Sequence, residues 1–152
     1  MDGETVQKIR RFNRYYTVWL EVMNRRYLGT ILPWTEARVI FEVYMRPGIS
    51  ATEVCGNLGL DKSYVSRILS KFEKRGFLAR EPVPGAKGLK KLTLTGAGRK
   101  VAAEIDQNGS RQIAEKLSAL DEATGRKLSD AMAFIEETLR KNDRGEVQKH
   151  GK

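Results

Sequence analysis

The sequence predicts a mainly α-helical fold with one small β-hairpin. Three observations predict it: segments whose apolar residues recur at spacings of three and four, two helix caps flanking a glycine turn near residue 59, and two short alternating segments around a Pro- and Gly-rich stretch at 82–88. At 152 residues, 40% hydrophobic and 31% charged, the chain has the composition of one globular domain with its own core. No apolar run reaches the roughly 18 residues of a membrane span. The opening Met1–Arg11 is charged where an export signal needs an apolar core. Cys55 is the single cysteine, which excludes an internal disulfide and a cysteine-built zinc site. A cytoplasmic location and no cofactor are therefore expected.

The first element is read as a long amphipathic helix from about Glu4 to Leu28, with Val6, Ile9, Phe12, Tyr16, Leu20, Met23 and Tyr27 on one face. Gly29 to Pro33 ends it. Thr35 reads as the N-cap of a second helix, about Glu36 to Met45, with Trp34 and Val39 as a hydrophobic staple. Arg46-Pro47-Gly48 stops that helix. Ser50-Ala51-Thr52-Glu53 is a capping box, and the short helix it opens closes at Gly59. Asp61 caps the next helix, which runs to a second closing glycine, Gly76. Two helices joined through a glycine turn of about three residues form a helix-turn-helix. Val54, Leu58, Leu60, Val65 and Ile68 face inward in this arrangement, and Cys55 is expected to be buried as a small residue where the helices cross.

Phe77 to Glu81 and Lys90 to Thr95 read as two strands, with a turn between them too long for a tight hairpin. A hairpin placed directly after a helix-turn-helix is a wing. Thr95-Gly96 then opens a helix carrying Ala97, Val101, Ile105, Ile113 and Leu117, with Asn108-Gly109 as a weak point. A last helix runs from Asp121 or Thr124 to Arg140, followed by a polar tail, 142–152.

The formal net charge is +9, and its placement is informative. Nine basic residues fall between Lys62 and Lys91 against two acids, Glu73 and Glu81, whereas acids and bases nearly balance beyond Gly96. A basic excess confined to the helix-turn-helix and wing is the footprint of a phosphate-binding surface.

Both the order of elements and the wording resemble the MarR family of bacterial and archaeal transcription regulators. The residues that carry the likeness are Ser50 through Ser70, Phe72-Glu73-Lys74-Arg75-Gly76-Phe77-Leu78, and Leu92 through Gly98. It extends over about residues 4 to 141. The opening Ile9 through Thr17, with Thr35 through Val39, is similar to a narrower group in which a MarR-like half is fused to a GNAT-type acetyltransferase. No stretch here corresponds to the acetyltransferase half, so its activity is not expected. The resemblance implies a winged helix-turn-helix over 35–95 and an all-helical dimerisation region built from 4–28 and 96–141. It further implies a homodimer on double-stranded DNA, with recognition helices in successive major grooves. Where the family's wing usually carries an Asp followed by Arg near its tip, this chain has Ala86-Lys87. Lysine keeps the charge without the planar fork, so the wing is expected to contribute charge more than sequence preference.

In that frame the helix Lys62–Arg75 buries Val65, Ile68, Leu69 and Phe72 and turns Ser63, Tyr64, Ser66, Arg67, Ser70 and Lys71 outward. Arg67 is the expected base reader, because arginine bonds a guanine edge bidentately. Lys62, Lys71, Lys87 and Lys90 are expected on phosphates, and Arg80 on DNA or on a strand face. Tyr15, Tyr16, Trp19, Trp34, Phe41 and Tyr44 line an effector pocket in the reading that the family implies, or form dimer and domain core in the plainer one. His150 has no Cys or His partner for a metal. Enzymology finds no histidine in the folded part, no paired carboxylates and no phosphate loop. A protein-binding adaptor on the same fold is the other rival, and the basic outward face argues against it.

Overall fold

A computed structural model describes residues 1–23 and 27–149. Among them the elements run α1 (Gly3–Trp19), a 3-10 turn (Tyr27–Gly29), α2 (Trp34–Met45), α3 (Ala51–Leu58), α4 (Lys62–Lys74), β1 (Leu78–Pro82), β2 (Lys90–Leu94), α5 (Gly96–Lys116) and α6 (Glu122–Lys149). His150 lies outside the described residues, as does the side chain of Tyr27. The chain divides into two compact units, Met1–Arg111 and Gln112–Lys152. The fold is a winged helix-turn-helix with long flanking helices.

α1 is capped by Asp2, whose carboxylate accepts the Thr5 N–H at 2.8 Å, and none of its residues is buried. It is shorter than the apolar period suggests. Leu20 caps its C-terminus, and Glu21 turns left-handed (φ 56°) while its N–H donates to the Val18 carbonyl. Periodicity records side-chain spacing and is blind to such a backbone turn. α2 also differs at its start: Pro33, with φ −64° and ψ 160°, occupies the N-cap without a side-chain hydrogen bond, so Thr35 lies inside the first turn.

α3 opens with the expected reciprocal box. Ser50 accepts the Glu53 N–H, and the Glu53 carboxylate accepts the Ser50 N–H at 2.8 Å. Gly59 (φ 62°) closes it in the left-handed region, and Asp61 caps α4 by accepting from Ser63 and Tyr64 N–H. Cys55 is only half-buried, because its neighbour Val54 takes the fully buried direction and leaves the thiol on the flank of α3.

The two strands pair antiparallel, with Arg80 opposite Leu92 and Pro82 opposite Lys90. The chain just before α3 joins their edge: Gly48 N–H donates to the Leu92 carbonyl and Leu92 N–H to the Ile49 carbonyl, each at 2.9 Å. Phe77 and Thr95 fall outside the ladder. The Phe77 N–H instead bonds the Phe72 carbonyl and thereby finishes α4, while the Thr95 hydroxyl accepts the Gly98 N–H and caps α5.

Among the described residues, the buried apolar core is drawn from residues 32–105. Its largest members include Phe72, Leu32, Ile40, Leu69 and Leu92. Each such side chain contributes about 1.5–3 kcal/mol on burial. On α5 the buried positions are Gly98, Ala102 and Ile105, with Ala97 and Ile113 exposed; the helix is rotated so that Gly98 faces the core. Asn108-Gly109 does not interrupt it, and the Asn108 side chain donates to the Leu28 carbonyl at 3.0 Å. α6 is capped by Asp121 and continues past Arg140 to Lys149. Pairs Arg140–Glu136 and Lys141–Glu137, one turn apart, support the helix beyond the apolar stripe.

Candidate nucleic-acid interface

α4 is two-faced, and its apolar face does the holding. Val65, Ile68, Leu69 and Phe72 are buried, three of them completely. That leaves Lys62, Ser63, Tyr64, Ser66, Arg67, Lys71, Lys74 and Arg75 exposed, with Ser70 half-buried. Ser66, Arg67, Ser70, Lys71, Lys74 and Arg75 line one shallow hollow on this surface. The first turn of α4 carries no acid, and its last turn carries Lys71 and Lys74, where the helix dipole favours cations. The Arg67 guanidinium lies 5.6 Å from the centre of the Tyr64 ring, close enough for a cation–π contact that orders it outward.

Three of the expected contact residues, Lys71, Arg80 and Ser70, are engaged within the protein. The Lys71 ammonium sits 2.7 Å from the Glu36 carboxylate of α2. Arg80 points from β1 to α4, where Nη2 donates to Ser70 Oγ at 3.2 Å and Nε lies 2.9 Å from Glu73 Oε2. α4 is thus bracketed by an ion pair on each flank, one to α2 and one to the wing. Arg67, Lys62, Lys87 and Lys90 are exposed.

The wing turn is internally bonded: Val83 N–H donates to the Leu89 carbonyl, Leu89 N–H to Ala86, and Ala86 N–H to Val83. Gly85 and Gly88 take positive φ (77° and 80°), so Lys87 is displayed on a built loop.

The aromatic candidates fall into separate groups. Tyr16 stacks between Phe12 and Trp19, at 5.3 and 5.6 Å, and Tyr15 is exposed. Phe41 and Tyr44 meet at 5.9 Å beside the core. Trp34 lines a hollow with Thr35, Arg38, Asn57, Leu58 and Leu60, which is shared with none of the other five.

Sequence reasoning missed Lys74 and Arg75 as members of the outward surface, and Glu36 as a partner. Lys74 was findable: it stands seven residues, two helical turns, after Arg67. Glu36 was not, since 35 residues separate it from Lys71.

Among the described residues, no helix is long and apolar enough to cross a membrane. The family model of the MarR family matches residues 32–87, which span the helix-turn-helix and reach the wing tip. No curated protein matches the sequence. Similar solved structures include a SlyA-like transcription regulator from Listeria monocytogenes (21% identity, 94% of this chain and 95% of that one, TM-score 0.74). A putative MarR family transcriptional regulator from the same organism, complexed with 26mer DNA, is alike at 21% identity over 95% of each chain (TM-score 0.72). FabT of Streptococcus pneumoniae, in complex with DNA, is 18% identical over 90% of this chain and 99% of that one (TM-score 0.65). At these identities the likeness is one of fold.

Proposed function

We propose that this chain, whose residues 32–87 match the MarR family model, is a sequence-specific double-stranded DNA-binding transcriptional regulator that acts as a homodimer on an inverted repeat. One observation carries the reading. A helix anchored by four buried apolar residues turns an exposed face of Lys62, Arg67, Lys74 and Arg75 outward beside a wing bearing Lys87 and Lys90. Such a helix suits a major groove, with Arg67 on a guanine edge and the lysines on phosphates.

Homodimerisation is supported by the flanking helices. α1 leaves Val6, Ile9, Phe12 and Val18 exposed, and α6 leaves Phe134, Ile135 and Leu139 exposed. Large apolar side chains left exposed along a helix are a common mark of a surface covered in an assembly. In this reading 4–28 and 96–141 supply the dimerisation region.

The test is a titration of the full chain with duplex DNA at several salt concentrations. Neutralised phosphates give a linear fall of log affinity with log salt, with a slope of about 0.9 per contact. Binding that ignores salt, or no duplex binding at all, would favour the protein-binding adaptor instead.

A further inference from the structure

We propose that Arg80 is a positioning residue, which sets the wing against the flank of α4 and does not itself contact DNA. The inference rests on the DNA-binding reading above and adds a role within it.

Arg80 is the middle residue of β1, in register opposite Leu92 of β2. Its side chain leaves the strand and spans Ser70 (3.2 Å) and Glu73 (2.9 Å), which stand three residues apart on one flank of α4. A planar guanidinium held at two points on a helix fixes both the distance and the rotation of the strand that carries it. The side chain is 20% exposed, against 49% for Lys71 on the opposite flank, so Arg80 is the more enclosed of the two bracketing cations.

Reaching a phosphate would require Arg80 to leave Glu73, whose carboxylate would then face the phosphate uncompensated. Like charges brought together in this way oppose binding. Holding the pair intact avoids that repulsion and keeps Lys87 and Lys90, at the far end of the same hairpin, at a set reach from the outward face of α4.

The distinguishing variant is Glu73→Gln, because the two roles predict opposite signs. If Arg80 positions the wing, Glu73→Gln, which removes the ion pair, and Arg80→Gln, which also removes the charged hydrogen bond to Ser70, both weaken binding, each by about tenfold. If Arg80 is a phosphate contact restrained by Glu73, Glu73→Gln frees it and strengthens binding. The full chain is titrated with a duplex that the wild-type protein enriches from a random library, and with a scrambled duplex of equal length.

Lys87→Ala and the Arg80→Gln/Lys87→Ala double variant complete a cycle. Positioning predicts non-additivity, since a displaced wing has already lost the lysine contact. Additive losses, with the salt slope reduced by about one at each step, overturn the proposal. Amide exchange over 83–89 without DNA gives an independent readout, expected to accelerate in both Arg80→Gln and Glu73→Gln. Unchanged exchange overturns the tether even if the wild-type chain binds no duplex, an outcome that separately refutes the DNA-binding reading.

Discussion

Gly98, in the first turn of α5, lies directly on the backbone of Phe77: a Cβ at this position would stand 2.9 Å from the Phe77 carbonyl carbon and closer still to its oxygen. Around this contact the Thr95 N–H donates to the same Phe77 carbonyl, and the Thr95 hydroxyl donates to the Gly76 carbonyl at 2.6 Å. The end of α4, the close of the wing and the start of α5 are thereby joined at one point.

Gly98→Ala should therefore be destabilising beyond the about 1–3 kcal/mol of ordinary overpacking, because the obstacle is backbone and cannot rotate away. Gly96→Ala is the control. Nothing lies within 4 Å of its added methyl, so neutrality or a gain of about 0.4–1 kcal/mol is expected. Denaturant melts of the two variants decide, and equal stability would refute the contact.

Arg67 and Lys87 should separate reading from attraction. Arg67→Ala is expected to cost about 1–3 kcal/mol on a selected duplex and to relax preference at one base pair per half-site. Lys87→Ala should weaken selected and scrambled duplexes alike, lowering the salt slope by about one per wing. A reversal of these patterns would mean that the roles are exchanged.

Light scattering at micromolar concentration should give a dimeric mass. Ile9→Asp, at an exposed position of α1, should shift the mass toward monomer while leaving the melting temperature of the helix-turn-helix little changed. Footprints on bound DNA should show half-sites about 10 base pairs apart. A monomeric wild-type chain contradicts both expectations.

The capping box has an acid-side signature. The Ser50 hydroxyl, and then its backbone N–H, hold the Glu53 carboxyl below its usual range. A folded pKa below the unfolded one gives a contribution that is present above the unfolded value and lost as pH falls through the folded value. Ser50→Ala removes the larger cause, so carboxyl-carbon NMR titration should show Glu53 moving up toward an ordinary glutamate. Asp2 and Asp121, held down by Thr5 and Thr124, should stay where they are.

Cys55→Ala should fold and bind DNA nearly as the parent does, losing at most about 1 kcal/mol, since the half-buried thiol leaves little cavity. Peroxide should leave duplex binding unchanged. Loss of binding on oxidation that is absent in the alanine variant would assign the thiol a sensing role instead.

What the sequence determined by itself is the part of this fold written in short-range interactions. The Ser50–Glu53 box, the Asp61 cap and the left-handed Gly59 and Gly76 each act within three or four residues, so residue type and spacing are enough to place them. The buried and outward faces of α4 were legible for the same reason, since 3.6-residue periodicity orders side chains without knowledge of what covers them. Only the tertiary structure decided that Lys71 meets Glu36, that Arg80 crosses to Ser70 and Glu73, that Gly98 seats on Phe77, and that α1 stops at Trp19. Each of the first three pairings joins separate elements and depends on how one is rotated and spaced against another. The last is a backbone turn taken by a non-glycine residue, Glu21. Hydrophobic pattern carries the burial of a face, but not the azimuth at which a long polar side chain finds its partner.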